Sequence, residues 1–484
     1  MECLGWVSAI AGLVVTSLTL FIGWYWISQK RLHQTFQKMG IRGPKPGFLL
    51  GNLDEILKKG PQQCFTDWQK EYGNVYGCNP LWGHLLGRQQ ISLQNPPFLV
   101  VTDVELLREI MVKKFNAFPN RQYTPLADYK PWNEMLTMLQ DDHWKHVRSL
   151  LSPSFSTSKL KKLCNSFSMD VIAGTAFGIE VDSLKTPGDP FLALIQRIRS
   201  VPSWMFTVLF LFPKFTPLLR RLGIAIAPEK DVTTLMNLIR RAIKERRQGT
   251  ETYPDILQLM LEAENEGDKE TEVDPEIDHS KELRTSAGWT RKGLTESEIE
   301  ANSFIFLVAG YENTALMMAF LLFELANHPE CLQKVQEELD EKLGKKEVDY
   351  QTVQELTYLE MCLNETMRLY PPGVTIDGSR ENVLRTRLGD VHVPKGMHIV
   401  FPTFTFTLIH TGDPMTSSQR GIHRRQSFSH PFSFLPFGYG PRNCIGMRLV
   451  LVEMKMAIAA LLRQFSPVRS LRRRIRLRWR KARF

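Results

Sequence analysis

Phe437-Gly-Tyr-Gly-Pro-Arg-Asn-Cys-Ile-Gly446 decides how the rest of this chain is read. Cys444 lies in a glycine-rich turn just before a helical pattern that starts near Met447, and Arg442 precedes it by two positions. A thiol at a helix N-terminus beside a cation ionises more readily, and the thiolate is the form that binds metal. The flanking glycines let backbone approach a large flat cofactor and offer N–H groups to the sulfur. A lone cysteine is most often a buried structural thiol. Here the pattern F-x-x-G-x-R-x-C-x-G, with Phe437, Arg442 and Gly446 at fixed positions, points to a metal ligand instead. Seven cysteines in 484 residues, with no C-x-x-C pair, exclude a disulfide scaffold and a zinc ribbon.

Working outward from this turn, helical patterns dominate, at about 134–151, 228–248, 296–327, 329–343, 351–370 and 447–464. Thr295-x-x-Glu298 reads as a capping box opening the 296–327 helix, and His328-Pro329 closes it. That helix is apolar on most faces, so it is expected to run through the middle of the domain. Phe98–Thr102, Val391–Pro394 and His398–Phe401 read as short strands, with Asp103 a cap for the helix after the first. No internal repeat and no alternating strand–helix units are visible. The fold class is therefore mostly α with a minor β-sheet.

From Leu4 to Ile27 the chain carries 24 residues without a charge. As a helix these reach about 36 Å, enough to cross a bilayer core of about 30 Å with some tilt. Trp24, Tyr25 and Trp26 stand at the far end like an interfacial belt, and Lys30, Arg31, Lys38 and Arg42 follow. A cleavable signal would have a basic start and a shorter apolar core. The expectation is one N-terminal transmembrane helix over 4–27, with the rest on the cytosolic face by the positive-inside rule. Residues 28–47 read as a basic, proline-rich linker ending in Gly40-Ile-Arg-Gly-Pro-Lys-Pro-Gly47, and 48–468 as the catalytic domain.

The net charge of +10 is local. Residues 469–484 hold nine cations and no acid, and without them the chain has 52 cations against 51 acids. This segment reads as an Arg-rich C-terminal tail. An opposite run, Glu262 to Asp278, has no apolar periodicity and reads as a solvated loop. With no basic stripe interleaved with aromatics on any other element, nucleic-acid binding is not expected.

The decapeptide around Cys444 matches the haem-binding signature of the cytochrome P450 superfamily, and the chain resembles that family across most of 35–465. Phe304-Ile-Phe-Leu-Val-Ala-Gly-Tyr-Glu312 and Phe118-Pro-Asn-Arg121 resemble vertebrate family three and thromboxane synthase. The resemblance implies a helical prism around haem b, with iron held by the Cys444 thiolate, the ligand type of that family. Glu365-Thr-Met-Arg368, followed by Leu-Tyr-Pro-Pro372, is similar to the family's E-x-x-R, whose i and i+3 residues share a helix face, and the resemblance implies that Glu365 and Arg368 pair to lock the haem-binding side of the core. Trp144-Lys-His-Val-Arg148 matches W-x-x-x-R, so Trp144 and Arg148 are expected at a haem propionate. Arg121, Arg442 and Arg380 resemble further propionate partners, for which guanidinium is a natural donor.

Ala309-Gly-Tyr-Glu-Asn-Thr314 resembles the oxygen-binding groove, with Gly310 opening space and Glu312 helping deliver protons. The threonine usual after the acid is Asn313 here, with Thr314 one place later. Proton delivery needs a hydroxyl, acid or water chain in reach, and an amide positions water but relays protons poorly. No Rossmann G-x-G-x-x-G and no flavin domain are visible. The chain is therefore not expected to bind its own nicotinamide reductant. The resemblance to microsomal family members implies electrons from NADPH through a partner, NADPH–cytochrome P450 reductase, with cytochrome b5 as a further donor. The apolar stretch Val201–Leu219 reads as a roof that dips into lipid and admits apolar substrates.

The resemblance breaks in three places. The chain is shorter than family members between Arg148 and Ser168-Met-Asp-Val171. No P-E-R-F stands between Asp413-Pro414 and Pro436, although Arg420, Arg424 and Arg425 are nearby. The terminal hairpin is replaced, on this reading, by the Arg-rich tail. Three readings follow. The first is an endoplasmic-reticulum, single-pass haem-thiolate monooxygenase inserting one oxygen atom of O2 into an apolar steroid, lipid or xenobiotic. The second is a reductant-free isomerase of a fatty-acid endoperoxide, and the third a degenerate or mis-spliced haem-binding non-enzyme.

Overall fold

Helices carry most of the described chain, and a small sheet closes one side of it. The computed structural model describes residues 36–47, 51–78, 98–121, 129–155, 190–200, 216–249, 255–265, 293–344, 346–371, 379–406, 430–469 and 475–479, with scattered positions between 12 and 27 and at 202 and 205. Helices α1 (Leu53–Lys59) and α2 (Pro61–Tyr72) lead into strand β1 (Val75–Cys78). Strand β2 (Phe98–Val101) runs antiparallel to β1 and ends at Asp103, the N-cap of α3 (Val104–Arg108). The Asp103 carboxylate accepts the N–H groups of Glu105 and Leu106 at 3.0 and 3.1 Å. α3 continues into one π-helical turn, Glu109–Lys113.

Helices α4 (Asp141–Leu151), α5 (Pro190–Arg199), α6 (Thr216–Arg221), α7 (Glu229–Gln248) and α8 (Ile256–Asn265) follow. Then come the long α9 (Glu296–Asn327), α10 (Pro329–Lys342), α11 (Tyr350–Gln354) and α12 (Thr357–Leu369). Strands β3 (Ser379–Glu381), β4 (Thr386–Leu388), β5 (Val391–Val393) and β6 (His398–Val400) precede α13 (Met447–Gln464), β7 (Phe465–Arg469) and β8 (Ile475–Trp479). The main sheet has the order β1-β2-β6-β3, with β2 and β6 parallel and both outer pairs antiparallel.

α9 organises the core. Its capping box forms as expected: the Glu298 N–H donates to Thr295 Oγ1 at 3.2 Å, and the Thr295 N–H to Glu298 Oε2 at 2.8 Å. Among the described residues it is the helix long and apolar enough to cross a membrane. Its apolar residues are instead shared between two interior clusters. Ile299, Phe304 and Val308 pack with α4, α5, α7 and α8, while Met317, Leu321 and Leu325 pack with α10, α12 and α13. Each large apolar side chain so buried contributes about 1.5–3 kcal/mol. Asn302, fully buried, accepts the Leu136 N–H at 2.9 Å and so ties the segment before α4 to α9.

Several boundaries differ from those read off the sequence. The 134–151 pattern is helical only from Asp141, after a short 3-10 turn at Trp132–Glu134. The 351–370 pattern is two helices, because the Glu338 carboxylate on α10 accepts the N–H groups of Tyr358 and Leu359 at 2.7 and 3.0 Å and starts a new helix. The stretch read as linker joins the folded body from Phe36, which is buried with Ile41 against the sheet, while the Gly77 N–H donates to Arg42 O at 2.9 Å. Glu262 and Glu264, read as loop, lie on α8, where Glu264 pairs with Arg247 at 2.8 Å. The rest of that acidic run lies outside the described residues, as do Trp204, Phe206, Phe210, Phe212 and Phe215 and most of 4–27.

The largest correction is at the C-terminus. The segment read as an Arg-rich tail is, from Ile475, strand β8, paired antiparallel with β7 from Phe465↔Trp479 to Arg469↔Ile475. Ile475-Arg-Leu-Arg-Trp479 alternates apolar and cationic residues with the period of a strand, a pattern hidden by its charge.

Candidate active site

The turn before α13 is shaped by backbone. Gly438 and Gly440 adopt φ +70° and +72°, where a side chain is strained. A Cβ on Gly440 would also overlap the carbonyl oxygen of Met111, in the π-helical turn. The loop therefore lies directly on that turn, backbone to backbone. Within the loop the Cys444 N–H donates to Phe437 O at 2.8 Å and the Asn443 N–H to Gly440 O at 2.9 Å. Phe437 packs against the α9–α12–α13 cluster, and Gly446 is the N-cap of α13. Cys444 is held two residues before that cap with its side chain exposed, where the positive end of the helix dipole favours a thiolate. The other described cysteines, Cys64, Cys78, Cys331 and Cys362, are buried, and burial pushes the thiol of Cys64 up to about 11.

Beside the loop, four elements bring arginines together. Arg442 is buried, donates from Nε to Pro119 O at 2.8 Å and from Nη2 to Leu139 O at 3.0 Å, and stacks over the Trp144 ring. Arg148, one turn along α4 from Trp144, donates from Nη2 to Asn443 Oδ1 at 2.7 Å. Arg121 donates from Nη2 to Arg442 O at 3.4 Å. Arg380 arrives on β3, drawn near by the bond from the Glu381 N–H to Asn120 O at 2.9 Å. Burial, and then the charges of Arg121, Arg380 and Arg148, hold the Arg442 guanidinium well below the ordinary arginine range, with Asp141 pulling the other way. Burial pushes Arg148 down to about 10; the Cys444 sulfur raises it and Arg121 lowers it.

Arg148, Arg380 and Arg442 are buried and Arg121 is half-buried. Because guanidinium stays charged in proteins, a further anion beside this cluster would offset a repulsion that Asp141 opposes at Arg442. Arg442 Nη1 is buried with no hydrogen-bond partner in the structure. A carboxylate reaching this point would satisfy that N–H and offset the mutual repulsion. The two propionates of haem b fit this requirement, and a thiol exposed between Arg148 and the start of α13 fits an axial ligand.

Two residues here were not legible beforehand. Asn120 and Asp141 bond each other reciprocally: the Asp141 N–H donates to Asn120 Oδ1 and Asn120 Nδ2 to Asp141 Oδ1, both at 2.7 Å. Asp141 has φ +50°, a strained conformation for a residue with a side chain, and this double bond pins it at the first turn of α4. Only the non-helical start of the α4 pattern hinted at them.

On α9, a Cβ added to Gly310 would meet nothing within 4 Å, so the helix borders open space there. Asn313 is exposed and donates from Nδ2 to Ala309 O at 3.2 Å. Thr314 is buried, and its hydroxyl donates to Gly310 O at 2.6 Å. Glu312 lies in α9 with its side chain outside the described residues. Glu365 and Arg368 hold each other on α12 in a buried two-bond pair, at 2.7 and 3.0 Å. Arg420, Arg424 and Arg425 lie outside the described residues.

The family model described as Cytochrome P450 matches residues 41–167 and 154–472. Cytochrome P450 3A5 of Homo sapiens is 32% identical over 477 residues, covering 90% of this chain and 87% of that protein. Cytochrome P450 3A13 of Mus musculus is 32% identical over 499 residues, covering 94% and 90%. With its glycine-rich cysteine turn, its long central helix and these relatives, the chain belongs to the cytochrome P450 family and is a haem monooxygenase of that family.

Proposed function

We propose that Cys444 is the axial haem ligand and that Arg121, Arg148, Arg380 and Arg442, with Trp144, hold the propionates. The observation that carries this is the buried arginine cluster, whose orphaned Arg442 Nη1 stands beside the cysteine turn. Haem bound through a thiolate supplies the redox chemistry that activates O2 and inserts one oxygen atom into a C–H bond. The chain's own residues orient the group and manage protons. Phe437, Gly440 and Gly446 keep the sulfur at the surface of the turn, and the Phe437 carbonyl fixes the Cys444 N–H. Gly310 leaves room against α9, and Glu312, Asn313 and Thr314 line the route for protons. Glu365 and Arg368, paired on α12, lock the haem side of the core.

The substrates are apolar small molecules, and the electrons come from NADPH through NADPH–cytochrome P450 reductase, with cytochrome b5 as a second donor. Residues 4–27 anchor the chain in the endoplasmic-reticulum membrane in a single pass, with the catalytic body on the cytosolic face. The uncharged 24-residue run and its aromatic end support this. A second reading, isomerisation of a fatty-acid endoperoxide without reductant, is favoured by one observation. The hydroxyl nearest the usual threonine position, that of Thr314, is occupied by Gly310 O, and Asn313 offers an amide in its place.

Turnover of apolar substrates and of a lipid endoperoxide, each with and without reductase and NADPH, separates the two. Monooxygenation predicts product only with both present, and Asn313→Thr is expected to raise product formed per NADPH consumed. Consumption of the endoperoxide alone, without NADPH, would overturn the monooxygenase reading for this chain.

A further inference from the structure

Arg148 stands on α4 one turn beyond Trp144, yet its Nη2 donates to Asn443 Oδ1 at 2.7 Å, on the residue immediately before Cys444. The other arginines of the cluster donate to backbone carbonyls: Arg121 to Arg442 O, Arg380 to Ser379 O, and Arg442 to Pro119 O and Leu139 O. Arg148 is held by a side chain. That side chain is half-buried and sits on a fixed turn. The Asn443 N–H donates to Gly440 O at 2.9 Å, and Gly440 lies against the Met111 carbonyl with no room for a Cβ.

The chemistry of the pair matters as much as its position. An amide oxygen accepts the guanidinium N–H without carrying charge, so the cation stays unneutralised, as it would not beside a carboxylate. Arg148 is 7% exposed, so solvent and salt screen its charge poorly. The Cys444 sulfur raises the Arg148 pKa where burial lowers it, which puts the two groups within electrostatic reach of each other. We propose that Asn443 is a positioning residue that holds the Arg148 cation against the cysteine turn, where this charge sets the reduction potential of the thiolate-bound haem. The proposal rests on the reading that Cys444 is the axial ligand. Reduction adds one electron to the haem, and a fixed cation beside its ligand favours the reduced form. Arg148 thus serves electron uptake as well as the propionates.

The test is the midpoint potential of the full, haem-loaded chain by spectroelectrochemistry, with the carbon monoxide band of the reduced chain reporting ligation. Asn443→Ala is expected to keep the thiolate band and to shift the potential negative. Asn443→Ser, polar but too short to reach Arg148, should shift it in the same direction. Asn443→Gln keeps an uncharged amide and should shift it less than either. Arg148→Gln alone should shift the potential negative, and adding Asn443→Ala to it should produce no further shift, because the amide acts through the arginine. An unchanged potential in both the Ala and Ser variants overturns the proposal, whatever happens to their melting temperatures. So does an Asn443→Ala shift that persists in full in the Arg148→Gln background. The two readings fail separately: no thiolate band in the unchanged chain removes Cys444 as ligand and the proposal with it, whereas a normal band with no shift in the variants fails the proposal alone.

Discussion

The guanidinium carbon of Arg442 lies 3.7 Å from the centre of the Trp144 ring, so the residue two before the cysteine is clamped to α4. A cation over an indole face in a desolvated site gains about 2 kcal/mol. The same arginine donates to Pro119 O and Leu139 O, and these bonds need its planar fork. Arg442→Lys is therefore expected to fold but to hold substoichiometric haem, measured as haem absorbance per mole of protein. Trp144→Phe, which keeps an aromatic face, should lose less haem than Trp144→Ala, which should also cost about 3–5 kcal/mol of stability. Full haem occupancy in Arg442→Lys would separate this residue from the cofactor.

Two glycines give opposite expectations. Gly440→Ala places a Cβ against the Met111 carbonyl at φ +72°, so the loop must move; stability should fall by about 2 kcal/mol or more and thiolate ligation should be disturbed. Gly310→Ala adds a Cβ where nothing lies within 4 Å and φ is helical, so its melting temperature should match or slightly exceed that of the unchanged chain. Its effect should appear instead in substrate affinity and ferric spectrum. A large stability loss in Gly310→Ala would show that the space beside α9 is not open.

The Asn120–Asp141 pair carries the strained first turn of α4. Asn120→Ala removes both 2.7 Å bonds and leaves the Asp141 N–H without this partner, an expected loss of about 0.5–1.5 kcal/mol in denaturant unfolding. Asp141→Gly relieves the φ of +50° while giving up one bond, so it should cost less than Asn120→Ala. The reverse order would show that strain is not held by this pair.

Much of this was readable in the chain. The Thr295–Glu298 box, the Asp103 cap, the α9 core helix and the cysteine turn are local patterns, each fixed by residues within a few positions of one another. What escaped the reading depends on distant partners. Met111 meets Gly440 across more than three hundred positions, Asn443 meets Arg148, and Glu338 divides the α11–α12 region from another helix. Strand β8 escapes for a different reason: the two-residue alternation from Ile475 to Trp479 is only five residues long and its arginines read as part of a charged run.

Burial pushes the His398 imidazole, in the central strand β6, from its usual 6.5 down to about 4, and its Nδ1 is buried without a partner. The unfolded chain takes up this proton below about pH 6.5, whereas the folded chain resists it until about pH 4. Stability from this residue is therefore complete above pH 6.5 and declines as pH falls toward 4, by up to about 3 kcal/mol. Unfolding midpoints measured across that range should drop, and His398→Phe should flatten the drop. An equal slope in the variant would remove His398 as its cause.

The central claim is that Cys444 supplies the thiolate to a haem held by the arginine cluster, and the carbon monoxide difference spectrum of the reduced full chain tests it most directly. The account predicts a thiolate-ligated band in the unchanged chain and its loss in Cys444→Ser, while single Ser substitutions of Cys64, Cys78, Cys331 and Cys362 leave it intact. A thiolate band that survives in Cys444→Ser, or that is absent from a folded, haem-loaded chain with Cys444 in place, would contradict it.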